Sequence, residues 1–353
     1  MNPKISIIIP TYNAEDYLLE AVDSIRNQTI GFENIELILV DDNSSDSTKS
    51  LLKELSQDYE NIKTIFLEGN SGTASRPRNE GIKNASSDYV MFLDNDDIYY
   101  HDMCEVMYEA INSYDADVAS CRYHINSVNS SKTPKSFLDK FTPYEFKDFN
   151  GEYDEESKTI YLRDISDFPQ IMTLGHPTMI WTKIFKRSTI LGNNIQFPEG
   201  DLYEDVYFTS KFYLHAKGIV ILNDFWGYGY QLRTEGENKS TCQVFSNSLV
   251  EKQFRGFLKI MGFLKLENGK YKTLESELII DMTKIYMYSD LTKDEHKKFL
   301  NAMKPFYKDY KVFTRVNTAS LSFNLIINLF IKLFSFSNTI AIFSSNLFLK
   351  IKS

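Results

Sequence analysis

The chain has 353 residues, 42% hydrophobic and 25% charged, which excludes a disordered polypeptide and suggests about two folding units. Lysine and arginine number 39 against 48 acids, and the formal net charge of −9 speaks against a general nucleic-acid binder. It suits a protein that gathers cations or neutral polar substrates. Cys104, Cys121 and Cys242 form no close pair and no metal-ligand spacing, so a disulfide scaffold is not expected and the reducing cytosol is the natural compartment. The apolar stretch before Pro10 is too short for a signal-peptide core, so secretion is not expected either.

In chain order, Ile5–Ile9, Ile35–Val40, Ile62–Leu67 and Tyr89–Leu93 are short apolar runs that read as strands buried on both faces. Helical stretches lie between and after them at Ala14–Asn27, Asp46–Tyr59, Ser75–Asn84 and His101–Ser113, and Asn43-Ser44-Ser45-Asp46 offers N-caps for the second. This alternation predicts βαβ units and a mostly parallel α/β sheet sandwiched by helices, with right-handed crossovers. Residues 122–163 read as a polar excursion ending in the acidic patch 152–156. Regular pattern returns from Met172 to Tyr230, with a helix over Glu204–His215 and strands over Ile219–Leu222 and Phe225–Tyr230. Helical pattern follows at 243–266, 274–290 and 293–304, then a long apolar tail, which puts a boundary near 235–243. No internal repeat is seen.

Ligands of such sheets bind beyond the carboxyl ends of the strands, so those residues come first. Strand one ends in Pro10-Thr11-Tyr12-Asn13, offering a hydroxyl and a ring to the cleft. Strand two ends in Asp41-Asp42, where a carboxylate can accept from the N3–H of a uracil. The loop after strand three carries Arg76 and Arg78, whose forks suit carbonyl or phosphate oxygens. Strand four ends in Asp94-Asn95-Asp96-Asp97; if extended geometry persists, Asp94 and Asp96 point the same way and supply oxygens for Mg²⁺ or Mn²⁺ beside a diphosphate. Taken singly, each of these is also an ordinary cap or surface charge, Asp97 above all. Their repetition at successive ends of one sheet argues for a site.

The ordered series ISIIIPTYNAEDYLLEAVDSI, ELILVDDNSSDST, SRPRNEGI, YVMFLDNDDIY, WTKIFKRSTI, FPEGDLYEDVYF and YGYQLRTEGENKST, over about residues 4–241, resembles a family 2 glycosyltransferase of the GT-A fold. The resemblance implies a nucleotide-sugar donor, usually a UDP-sugar, a divalent metal (Mg²⁺ or Mn²⁺), and inversion at the anomeric carbon. It assigns Pro10, Thr11, Tyr12, Asp42 and Arg78 to the nucleoside, with Arg76 beside them. Asp94 and Asp96 match the DxD motif, Asp96 being the more direct metal ligand. Asp205 matches the catalytic base, and Glu204 orients it or meets the acceptor. Arg233, with Ser240 and Thr241, resembles a loop closing over the diphosphate, and His176 and Trp181 lie in a segment resembling an acceptor-side wall. The Gln-x-x-Arg-Trp motif of processive members is not matched by Gln231-Leu232-Arg233-Thr234, which disfavours a synthase extruding a long polymer. On this reading 1–240 is a GT-A catalytic domain, with a nucleotide half 1–120 and an acceptor half 121–240. Residues 241–353 form a helical region with an amphipathic tail at 317–350.

The implied enzyme is a hexosyl- or N-acetylhexosaminyltransferase acting on a hydroxyl of a cell-surface glycan, a teichoic-acid-like polymer or a glycolipid, in cell-envelope polysaccharide biosynthesis. Between Ser320 and Ser353 there is no acid and the charges are Lys332, Lys350 and Lys352. Two readings of this tail stay open: peripheral contact with the inner membrane face of an otherwise cytoplasmic protein, or packing in a homo-oligomer or against the other C-terminal helices. A spanning helix is marginal. Rival functions are a sugar nucleotidyltransferase, which would show a Gly-rich basic loop after strand one, a receiver-type signalling domain, and a non-catalytic nucleotide-sugar-binding module. Pro10-Thr11-Tyr12-Asn13 opposes the first, the unexplained Tyr203–Phe208 the second, and intact Asp94, Asp96 and Asp205 the third.

Overall fold

The structure, a computed structural model, describes residues 2–127, 149–167, 179–232, 247–266, 272–288, 292–309 and 331. The chain divides into two compact units, Met1–Lys132 with Pro143–Asn238 and Thr133–Thr142 with Lys239–Ser353.

In the first unit the strands are β1 (Ile5–Thr11), β2 (Ile35–Asp41), β3 (Ile62–Phe66), β4 (Tyr89–Phe92), β5 (Ile98–Tyr99), β6 (Val118–Ser127), β7 (Glu152–Asp154), β8 (Thr159–Leu162), β9 (Lys183–Lys186) and β10 (Ile219–Leu232). The helices are α1 (Leu18–Arg26), α2 (Thr48–Asp58), α3 (Ser75–Asn84), α4 (Met103–Ser113), α5 (Arg187–Gly192) and α6 (Glu204–His215). One sheet runs β3-β2-β1-β4-β9-β6-β10-β8-β7, with β5 paired to β10. Its first four strands are parallel, β9 runs antiparallel between β4 and β6, and β6 and β10 are parallel again. The order reverses at β1, which has β2 on one side and β4 on the other. Such a switch point opens a crevice at the strands' carboxyl ends.

The apolar runs explain the centre. Every residue of β1 and β2 is buried, as strands covered on both faces should be. β3 departs from that expectation: it is the sheet edge, and Phe66 is exposed. Phe92 at the end of β4 meets Phe185, Phe197 and Phe208 edge-on at 5.5–6.0 Å, and Phe197 stacks on Phe208 at 4.0 Å. This aromatic packing seats α6 against β4 and β9, bringing the first turn of α6 to the strand ends.

Several expectations change. The supposed excursion begins with the rest of β6 and contains the β7–β8 hairpin, whose strands are too polar or short to stand out. The two strands expected at 219–230 are one strand with register shifts between Ile221 and Tyr228. The cap cluster contributes through Asp46, whose Oδ1 accepts the Thr48 amide at 3.0 Å. Cys104 and Cys121 are buried free thiols, while Cys242 lies outside the described residues.

The second unit contains α7 (Asn247–Leu266), α8 (Lys272–Tyr288) and α9 (Lys293–Asp309). Tyr286 stacks on Phe299 at 4.6 Å and its hydroxyl lies 2.7 Å from His296 Nδ1, so α8 and α9 share an apolar and a polar contact. α9 continues past Pro305, where the sequence reading ended it. Among the described residues no helix is long and apolar enough to cross a membrane. The tail 317–350, with its membrane and oligomer readings, lies outside the described residues apart from Ile331.

Candidate active site

Parallel pairing sets Thr11 level with Asp41, and β4 ends at Phe92, opposite Ile8, so the predicted residues of β1, β2 and β4 emerge at one rim. Thr11 is buried and donates to the Val40 carbonyl at 3.2 Å, while Tyr12 is exposed beyond it. Asp41 is consumed locally, accepting the amide and hydroxyl of Ser44. Asp42 differs. One carboxylate oxygen, Oδ2, accepts the Ser71 amide and hydroxyl, both at 2.8 Å, whereas Oδ1 is buried with no hydrogen-bond partner. A buried acceptor left unmet is costly, so this atom suits a ligand N–H.

Beyond β4 the extended geometry does not persist. The Asp97 amide donates to the Asp94 carbonyl at 3.1 Å and the chain turns, so Asp94 and Asp96 do not share a face by strand alternation. Asn95 Nδ2 donates to the Pro10 carbonyl at 3.0 Å and ties this turn to β1. Asp97 is buried, accepting the Tyr228 hydroxyl at 2.6 Å and the Gln231 amide at 2.7 Å. Burial, then the charges of Asp96 and Asp94, push its carboxyl well above the usual range. It is not a helix cap.

Arg78 is the hub. Its guanidinium, 4% exposed, donates from Nη2 to Asp94 Oδ1 at 2.8 Å and from Nη1 to Glu204 Oε1 at 3.2 Å and Asp205 Oδ1 at 3.0 Å. The resemblance assigns Arg78 to the nucleoside; here it bridges the end of β4 to the first turn of α6. Arg76, two residues earlier, donates to the carbonyls of Glu68 and Gly69 at 3.0 and 3.3 Å and steadies its own loop. Tyr203, just before the two acids, has φ 67°, a left-handed conformation that aims the first turn of α6. Burial, with Glu204 and Asp94 adding repulsion, outweighs Arg78 and Lys183 and lifts the Asp205 carboxyl to about 8.

Lys183 went unnoticed in the sequence. It lies fully buried in β9, donating to the Met179 carbonyl and, at 3.2 Å, to the Thr182 hydroxyl. Burial lowers its ammonium to about 7 against the pull of Cys121 and Asp205. An isolated lysine inside Ile-Trp-Thr-Lys-Ile-Phe is the signal that could have marked it. Trp181 is buried, stacked on Tyr228 at 4.3 Å. Arg233, His176, Ser240 and Thr241 lie outside the described residues.

Among the described residues no group of three or more His, Cys, Asp and Glu side chains could hold a metal by itself. Mg²⁺ and Mn²⁺ commonly take one or two carboxylates and complete their shell with substrate phosphates and water, and Asp94 with Asp96, both in the turn after β4, would be the pair to supply them. The joint repulsion of Asp97 by these acids shows negative charge concentrated at the turn.

With the geometry in view, a family profile described as "Glycosyl transferase family 2" matches residues 6–170. The chain is 34% identical over 242 residues, 68% of its length, to a poly(ribitol-phosphate) beta-glucosyltransferase of Bacillus spizizenii. The aligned part is 34% of that protein, so the chain spans about a third of the length of this curated relative. It is 31% identical over 294 residues to the glycosyltransferase GlyG of Streptococcus pneumoniae, covering 80% of the chain and 92% of GlyG. Among solved structures, Staphylococcus aureus TarS 1–349 in complex with UDP-GlcNAc matches with a TM-score of 0.65 at 24% identity, over 96% of this chain and 90% of that one. At that identity the likeness speaks to the fold.

Proposed function

The chain belongs to glycosyl transferase family 2 and has its GT-A fold, and on that premise we propose that it moves a sugar from a UDP-sugar to an acceptor hydroxyl, inverting the anomeric centre. The observation that carries this reading is the buried guanidinium of Arg78, held between Asp94 and the Glu204–Asp205 pair. It links the expected diphosphate side to the expected base.

Asp42 Oδ1 receives the imino N–H of uracil, and Pro10, Thr11 and Tyr12 border the nucleoside. Asp94 and Asp96 would hold Mg²⁺ or Mn²⁺, which when bound would neutralise charge on the diphosphate. The acceptor oxygen attacks the anomeric carbon as the bond to the diphosphate oxygen breaks. UDP leaves with that electron pair, and Asp205 takes the hydroxyl proton. A carboxylate of raised pKa is a stronger base than an ordinary aspartate, and burial provides that. Glu204 keeps Asp205 turned toward the acceptor through their common bond to Arg78. Arg233 follows β10 directly and would meet the diphosphate.

The acceptor is a hydroxyl of a cell-envelope polymer of the teichoic-acid type or of a related glycolipid, a reading supported by the poly(ribitol-phosphate) relative. The work takes place in the cytoplasm, at the inner membrane face, with the tail 317–350 as the peripheral contact. A panel of nucleotide sugars, with and without Mn²⁺, tests the donor class by thermal stabilisation. A UDP-sugar raises the unfolding midpoint and GDP-, ADP- and CMP-sugars do not; a rise confined to another base, or none, overturns the proposal.

A further inference from the structure

The turn after β4 is fastened to Arg78 through Asp94 and to Pro10 through Asn95. Its last residue, Asp97, has no part in donor binding or proton transfer. It is nonetheless 1% exposed, with Oδ2 on the Tyr228 hydroxyl at 2.6 Å and Oδ1 on the Gln231 backbone N–H at 2.7 Å. Neither donor is loose. Tyr228 is fully buried with its ring stacked on Trp181, and Gln231 lies in β10. Burying an acid beside Asp94 and Asp96 is unfavourable unless its oxygens are satisfied, and a simple packing role would be filled better by an apolar side chain.

We propose that Asp97 is a positioning residue: by gripping the Tyr228 hydroxyl and the Gln231 amide it fixes its chain neighbour Asp96 relative to β10, and so sets how well the turn holds a divalent cation against a diphosphate. This rests on the reading of Asp94 and Asp96 as the metal-holding pair. Asp97 acts through backbone and hydrogen bonds, 131 residues from Tyr228 in sequence, and touches neither cation nor donor.

The test uses the full chain, UDP and Mn²⁺, with binding read by calorimetry well below each protein's unfolding midpoint. Tyr228→Phe removes one hydroxyl and leaves the ring on Trp181; Asp97→Asn puts an amide nitrogen where one of two donors needs an acceptor. In both variants metal-free UDP affinity stays at the wild-type value, while the gain in affinity from Mn²⁺ falls about tenfold, as for other groups that orient metal ligands. An undiminished Mn²⁺ gain in Tyr228→Phe overturns the inference, as does equal loss of metal-free affinity, which would indicate general damage. A wild-type chain that gains nothing from Mn²⁺ sinks the metal assignment and this inference together, a different result from failure in the variants alone. Should Asp97→Asn not fold, Tyr228→Phe decides.

Discussion

Arg78 faces more negative charge than it can balance. The guanidinium collects attraction from Asp205, Asp94 and Glu204 and is held protonated despite burial. Each carboxylate receives only a share of that cation while repelling the others, which is why Asp205 rises although it is paired. A base must be ionised to work, so transfer climbs as pH rises through about 8 and levels above it, measured as kcat against pH. Asp205→Asn loses about 10²–10⁴-fold in kcat while UDP binding persists, and turnover at the wild-type rate would displace the base. The same residue affects stability. The folded carboxyl keeps its proton to about 8, whereas an unfolded one releases it near 3.8. Across that window the native state binds more protons, so stability falls as pH rises. Asp205→Asn removes this term, and its melting midpoint exceeds the wild type's at pH 8 but not at pH 4.

At the level of elements, α3 presents Arg78 to the site because it can press against β1. A Cβ at Gly81, one turn along, would stand 2.4 Å from Ile8 Cγ2. Gly81→Ala forces the helix outward, destabilises by about 1–3 kcal/mol in chemical denaturation and lowers transfer with it. The amino-terminal end of the same strands gives the contrasting case. Glu36 accepts from Ser6, from the amide and hydroxyl of Ser86, and from Lys63. Burial alone would raise its carboxyl, but these partners, Lys63 first, bring it below the ordinary value. That stability is present above pH 4.5 and fades as pH drops through the lowered value. Glu36→Ala costs about 2 kcal/mol at pH 7 yet leaves UDP affinity unchanged, since the site lies at the opposite strand ends.

These elements also show what could be read beforehand. β1, β2 and β4 announce themselves because a strand buried on both faces must be apolar throughout. Ile98–Tyr99 and the Arg122–Ser127 half of β6 owe their pairing to distant partners and Glu152–Asp154 owes its pairing to the adjacent β8, and their own composition carries no such signal. Likewise Asp42, Asp94 and Asp205 were found as motif residues. The grip of Arg78 across 126 and 127 residues, the burial of Lys183 and the bonds of Asp97 exist only once the sheet has closed.

Over the whole molecule, the residues gathered around Arg78 all belong to the first compact unit. UDP with Mn²⁺ therefore slows amide hydrogen exchange in β1, β2, β4 and the start of α6 and leaves α7–α9 unchanged, a pattern mass spectrometry resolves peptide by peptide. The excess of acid over base, −9 for the chain, recurs in miniature where three carboxylates crowd one guanidinium. Within that cluster the Asp205 carboxyl still carries its hydrogen ion at neutral pH, and a divalent cation arriving nearby favours its release into solution. Loading Mn²⁺ and UDP at pH 7.5 should then give a heat that differs between phosphate and Tris in proportion to their ionisation enthalpies, turning the choice of buffer into a counter for the ions set free.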